Sequence, residues 1–263
     1  MVTLLRDVAL PGRPGRGCPP GYRQDLRIPA VLLIALLSVP LLVCVLVHAA
    51  EPGRLSETRL AGPRLLAGRA CVIVAADLSG SMAAVTPLRQ AAVAALLPWL
   101  KMNLRADDLV MLVNFTDDAT VALPATQVDR LPTVPPAESP VGGRGTVFGP
   151  AVAIVGDALA DRRCGAVELL AITDGVFSDD PRALGDTLKA AGVTRMHVLN
   201  PNGDVRPFPL NQAPLAGVDV RALGDTNRMS LSFGEAIAVL TGQRLATSWP
   251  PTPAAGLIPR LRL

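Results

Sequence analysis

Aromatic side chains are nearly missing from this chain: two Trp, one Tyr and five Phe make up 3% of 263 residues. Its apolar half is built from Leu, Val and Ala instead, a composition suited to helices packed on a sheet. Histidine is scarcer still, with only His48 and His197. A serine hydrolase needs an imidazole to take the nucleophile's proton. His48 borders a long apolar run, which leaves His197 in the strand-like segment TRMHVLN, where a satisfied strand residue is the plainer reading. There is no Gly-x-Ser-x-Gly elbow. The segment GRGT (143–146) lacks the Gly-Lys pair and the preceding strand of a phosphate-binding loop. Excess charge is missing too: a formal net charge of +3 is too small to point to nucleic acid. No short-period repeat is visible.

What the chain does have is one uninterrupted apolar stretch, IPAVLLIALLSVPLLVCVLV, covering residues 28–47 without a charge. That matches the roughly 20 residues needed to cross a bilayer core, and Pro40 is tolerated inside a membrane helix. Five arginines precede it (Arg6, Arg13, Arg16, Arg23, Arg27) against Asp7 and Asp25, and Arg54, Arg59, Arg64 and Arg69 follow. The positive-inside bias is thin but favours a cytoplasmic N-terminus and an exported remainder. The rival is cleavage near Ala49, where Val47–Ala49 offers small residues to a signal peptidase, giving a secreted protein. A lipoprotein is disfavoured, since LLVC lacks the small residue that precedes a lipidated cysteine. The expected organisation is a tail (1–27), a membrane span and signal anchor (28–49), a linker (50–69), one domain (70–248) and a proline-broken C-terminal tail (249–263). The last could instead be a docking peptide.

Within the domain, apolar strand-like segments alternate with helix-like ones. ACVIVAAD (70–77), DLVMLVNF (108–115), VELLAIT (167–173), TRMHVLN (194–200) and GVDVRAL (217–223) read as strands, and TVAL (120–123) as a short edge strand. Helical spacing runs over 86–102, 147–162, 180–192 and 228–242, the last two ending on Gly192 and Gly242. Residues 128–146 form a Pro- and Gly-rich loop. Strands that are apolar throughout and separated by helices predict an α/β fold: a doubly wound, mostly parallel sheet with helices on both faces. Ligands of such sheets bind off the carboxyl ends of the strands.

Three loops meet that edge. DLSGS (77–81) follows the first strand and presents Asp77, Ser79 and Ser81; Thr146 closes the glycine-rich loop; Asp174 follows VELLAIT in TDG. Two carboxylates and three hydroxyls, with no His or Cys, are hard oxygen donors that suit Mg²⁺ rather than zinc. With only two carboxylates the ion is not over-neutralised and can take a further carboxylate from another molecule. The plainer alternatives are helix capping by the serines and Thr146 and an ordinary turn at Asp174, each compatible with ligation. Asp117 and Asp118 in FTDDAT read as turn carboxylates near the same rim. A hydrolase of the haloacid dehalogenase type would need an Asp where Ser79 stands.

The ordered set DLSGS, GRGT, TDG resembles the metal-ion-dependent adhesion site of von Willebrand factor A-type (VWA) domains, Asp-x-Ser-x-Ser with a distant Thr and a distant Asp, over roughly residues 70–248. The resemblance, to the bacterial membrane-anchored type, implies that Ser79, Ser81 and Thr146 offer hydroxyl oxygens to a metal, and that Asp77 and Asp174 coordinate it directly or through water. Thr146 would join when a ligand binds. It further implies Mg²⁺, with Mn²⁺ or Ca²⁺ as alternatives, a protein partner offering an acidic residue, no catalysis, and relatives that work beside AAA-type ATPases or in envelope assemblies. A fold-stabilising metal in a structural envelope anchor is the alternative from a different class. In this fold the strands opened by Cys71 and preceded by Cys164 are parallel neighbours, so the two cysteines share the amino-terminal edge. Either a disulfide or two free thiols suits that placement. Cys18 and Cys44 fall in the tail and the span.

Overall fold

Seven apolar residues in a row, Ala70–Ala76, have to be covered on both sides, and strand β2 (Arg69–Asp77), which holds them, is buried from Ala70 onward. The computed structural model describes residues 53–138, 145–202 and 209–247. The tail and span of 1–49, the cleavage alternative at Ala49, and the tail from 249 lie outside them. The described residues all belong to the unit Ala50–Leu263.

Around β2 stand β3 (Leu109–Phe115), β4 (Ala119–Gln127), β5 (Cys164–Ile172), β6 (Arg195–Asn200) and β7 (Asp219–Ala222), in the spatial order β4-β3-β2-β5-β6-β7. All neighbours run parallel except the edge strand β4, which returns antiparallel along β3. The α/β, doubly wound, mostly parallel sheet is therefore as expected. The edge strand is longer than TVAL alone, because antiparallel pairing beside a tight turn needs no crossover and an edge tolerates Pro124.

Alternate residues of the strands feed two cores. Val72, Val74, Leu112, Leu170 and Leu199 pack under helices α1 (Thr86–Asn103) and α4 (Thr226–Thr241). Cys71, Ile73, Met111, Leu169 and Val198 pack under α2 (Gly149–Leu159) and α3 (Pro181–Ala190). Local chemistry sets the helix ends. Asp180 accepts from the N–H groups of Arg182 and Ala183 ahead of Pro181, and Asp225 accepts from that of Arg228. Gly242 closes α4 at φ +69°, where a side chain would be strained.

Two departures follow from contacts distant in sequence. Residues 53–69, expected as a linker, are part of the folded unit. Leu55 is buried in the α1/α4 core, and β1 (Thr58–Ala61) pairs antiparallel with β8 (Arg244–Thr247) as a second, two-stranded sheet. The Trp99 indole N–H donates to the carbonyl of Thr58, and Asn103 Oδ1 accepts from Leu60 N–H, fastening β1 to α1. Second, Cys164 opens β5 rather than preceding it by three residues. Its Cα lies 5.8 Å from that of Cys71, and the two are joined in a disulfide across β2 and β5, closing a loop between residues 93 positions apart.

Candidate functional site at the carboxyl edge

β2 ends on Asp77, which has no solvent exposure. Its carboxylate is held at both oxygens. Oδ1 accepts from Ser79 N–H at 2.8 Å, and Oδ2 accepts from the Thr173 hydroxyl at 2.7 Å. Burial pushes the Asp77 carboxyl above its ordinary value, the bonds from Ser79 and Thr173 work against this, and the charge of Asp174 adds to it. Two carboxylates thus share this edge closely enough to repel each other. Among the described residues neither makes an ion pair with a cationic side chain.

The serine hydroxyls are not used for capping. Ser79 precedes a 3-10 turn, Gly80–Val85, without a side-chain capping bond; its Oγ lies 3.1 Å from Ser81 Oγ instead. Thr146 does not cap α2 either. The orphan N–H groups of Phe148 and Gly149 are taken by Asp179, at 2.7 and 2.8 Å. Thr146 is held on its loop through the backbone: its carbonyl accepts from Ser178 N–H, and the next residue, Val147, donates to the Thr116 carbonyl. Asp174 does make the turn expected of it, accepting from Val176 N–H before Gly175 at φ +77°. Asp77, Ser79 and Ser81 are therefore joined directly, Asp174 faces Asp77 electrostatically, and Thr146 stands on the loop clamped between the ends of β3 and β5.

Three residues that the sequence reading passed over build this edge. Thr173 orients Asp77 and also accepts from Gly175 N–H; its place directly before Asp174 was the available signal. Arg89, buried in α1, donates to the Asp77 carbonyl at 2.8 Å and forms a two-pronged pair with Glu138 of the proline-rich loop. Burial disfavours charge on Glu138, but Arg89 and Gln90 hold its carboxyl below the usual range. Asp179 is the third. Asp117 accepts from Gly145 N–H and Asp118 from Ala119 N–H, which makes both structural turn residues. His197 is satisfied in its strand, with Nδ1 2.9 Å from Asp219.

Three of the chain's eight aromatics meet here. Phe115, Phe148 and Phe177, each adjoining one of the edge loops, pack with ring centroids 4.9 to 6.3 Å apart. They give the polar loops a rigid apolar base.

As a donor set the edge fits a hard cation: two carboxylates, one wholly buried, with hydroxyls left over from capping. Among the described residues no three His, Cys, Asp or Glu side chains form a metal-holding group. A cation here would therefore need the hydroxyls as well as the carboxylates.

Fold and edge together resemble a VWA-type domain, a likeness that rests on this chain's own strand order and three loop motifs. Solved structures similar in fold include a von Willebrand factor type A protein from Catenulispora acidiphila (17% identity, TM-score 0.48, covering 65% of this chain and 42% of that one). Another is an aerotolerance-related membrane protein from Bacteroides fragilis (18% identity, TM-score 0.45, covering 65% of this chain and 99% of that one). No family model matches the chain. A curated protein, a phosphoribosyl imidazole-carboxamide isomerase from Bordetella avium, is 37% identical over 77 residues, which is 29% of this chain and 31% of the isomerase. The match thus spans about a third of that protein's length.

Proposed function

We propose that the chain is a membrane-anchored binding module, not an enzyme, in which Asp77, Ser79, Ser81, Thr146 and Asp174 hold a divalent cation that takes an acidic group from a protein partner. The expected ion is Mg²⁺, with Mn²⁺ or Ca²⁺ as alternatives. The span at residues 28–47 would anchor the module with the domain outside the cytoplasm, and an AAA-type ATPase or an envelope assembly is the class of partner expected. One observation carries this reading. The buried Asp77 carboxylate is oriented by Ser79 and Thr173 while the Ser79 and Ser81 hydroxyls lie side by side, free of capping duty. A divalent ion there would supply an electrophilic point for a foreign carboxylate.

Calorimetry on the full-length protein in detergent, stripped with EDTA, tests the site. Mg²⁺ should bind to the wild type and fail to bind to Asp77→Ala and Ser79→Ala. Equal binding in all three would remove the assignment. Capture of a partner in the presence of Mg²⁺ should then weaken in Thr146→Ala more than the melting temperature falls. Parallel loss of both would instead mark a metal that only stabilises the fold.

A further inference from the structure

The amino-terminal edge of the sheet, opposite Asp77, carries a polar cavity of about 320 Å³ lined by Arg69, Arg130, Arg162, Gln127 and Leu109 among others. The topology gathers these from separate stretches. Arg69 opens β2, Leu109 opens β3, and Gln127 closes the antiparallel β4 directly opposite Leu109. Arg130 ends the 3-10 turn Val128–Arg130, and Arg162 follows α2, its N–H bonded to the Leu159 carbonyl.

No Asp or Glu lines this cavity. Asp108, the buried carboxylate next to Leu109, is fully engaged elsewhere. It receives both guanidinium prongs of Arg64 at 2.6 and 2.8 Å, and the N–H groups of Ala70 and Arg105. Asp129 and Asp161, the sequence neighbours of Arg130 and Arg162, are exposed. Among the described residues none of the three arginines forms an ion pair. The Arg69 Nε–H is buried without an acceptor. Three like charges around one space, with a buried donor left unmet, is an unfavourable arrangement that an oxyanion would reverse. The guanidiniums enter from a strand start, a turn and a helix end, so their donors come from several directions. A tetrahedral oxyanion accepts in that way, whereas a planar carboxylate is satisfied by one fork.

We propose that this cavity is a binding site for a phosphate-type oxyanion, either free or borne on a lipid headgroup. Full-length protein in neutral detergent, with EDTA present to silence the Asp77 edge, is titrated with inorganic phosphate. In a second arm it is titrated with dioctanoyl phosphatidylglycerol, with dioctanoyl phosphatidylcholine as control. Saturable binding that weakens with added salt is expected, falling roughly tenfold in Arg162→Gln and further in Arg69→Gln/Arg162→Gln. Arg162 is exposed and unpaired, so its variant tests the site without disturbing the fold; the melting temperature without anion checks this for Arg69→Gln. Phosphate binding that responds to these variants supports a free anion. Responsive binding of phosphatidylglycerol alone supports a headgroup. Absence of saturable binding in both arms, or binding unchanged in the triple variant Arg69→Gln/Arg130→Gln/Arg162→Gln, overturns the proposal.

Discussion

Thr173 shows how much of the candidate site depends on a residue that would never ligate anything. Its hydroxyl donates to Asp77 Oδ2 and accepts from Gly175 N–H, so it ties the end of β2 to the turn that carries Asp174. Thr173→Val keeps the shape and removes the donor, leaving a buried carboxylate oxygen unmet. A stability loss of about 1–3 kcal/mol is expected in chemical denaturation, with weaker Mg²⁺ binding by calorimetry. Unchanged Mg²⁺ affinity would mean that Ser79 alone orients Asp77.

A second residue-scale consequence concerns Glu168, on β5 and without solvent exposure. Its Oε1 lies 3.2 Å from His197 Nε2, yet neither carboxylate oxygen has an aligned hydrogen bond among the described residues. Burial pushes this carboxyl from an ordinary 4.5 up to about 8, with Arg195 opposing and Asp219 adding to the rise. Between those values the folded chain keeps a proton that the unfolded chain has lost, so stability falls as pH rises through the window. His197 acts in the opposite sense: burial holds its imidazole below 6.5 in spite of Asp219, so its contribution rises with pH only up to 6.5. Burial disfavours charge on Asp219, but Arg221 and His197 hold its carboxyl low, and it stays ionised throughout. From pH 6.5 to 8, wild-type stability should therefore drop by about 1 kcal/mol per pH unit, and Glu168→Gln should flatten the slope. Equal slopes in the two proteins would show that Glu168 is charged in the fold.

At the scale of elements, what could be read from the sequence was whatever local pattern dictates. Segments rich in apolar residues marked the five parallel strands, Gly192 and Gly242 marked helix ends, and Asp77, Thr146 and Asp174 stood where strands give way to helices. What escaped depends on partners far along the chain. A four-residue strand such as β1 has no periodicity to recognise, and its pairing with β8 joins residues 58–61 to 244–247. In the same way Arg89 and Glu138, or Asp179 and the start of α2, meet only once the sheet has wound. Leu55 decides whether the segment before β2 belongs to the domain. It is 1% exposed, against α1 and α4. Leu55→Ala should cost about 2–5 kcal/mol in denaturant unfolding, whereas a residue in a free linker would change stability by less than about 0.5 kcal/mol.

For the whole molecule, the two sheet edges are chemically distinct: carboxylates and hydroxyls at one end, arginines and the Cys71–Cys164 bridge at the other. The bridge bears on where the domain resides, because a structural disulfide persists in an oxidising space and is reduced in the cytosol. It joins the central strands β2 and β5, and so restrains the unfolded chain over a loop of 93 positions. Constraint of that kind is worth typically about 2–4 kcal/mol. Mass spectrometry of protein purified from membranes under non-reducing, thiol-blocking conditions should find Cys71 and Cys164 unalkylated and linked. Reduction, or the paired substitution Cys71→Ala/Cys164→Ala, should then lower the unfolding free energy by that amount while leaving Mg²⁺ binding in place, since the bridge sits at the far edge from Asp77. Two alkylated cysteines in the native protein would place the domain in a reducing compartment and reverse the proposed orientation of the anchor.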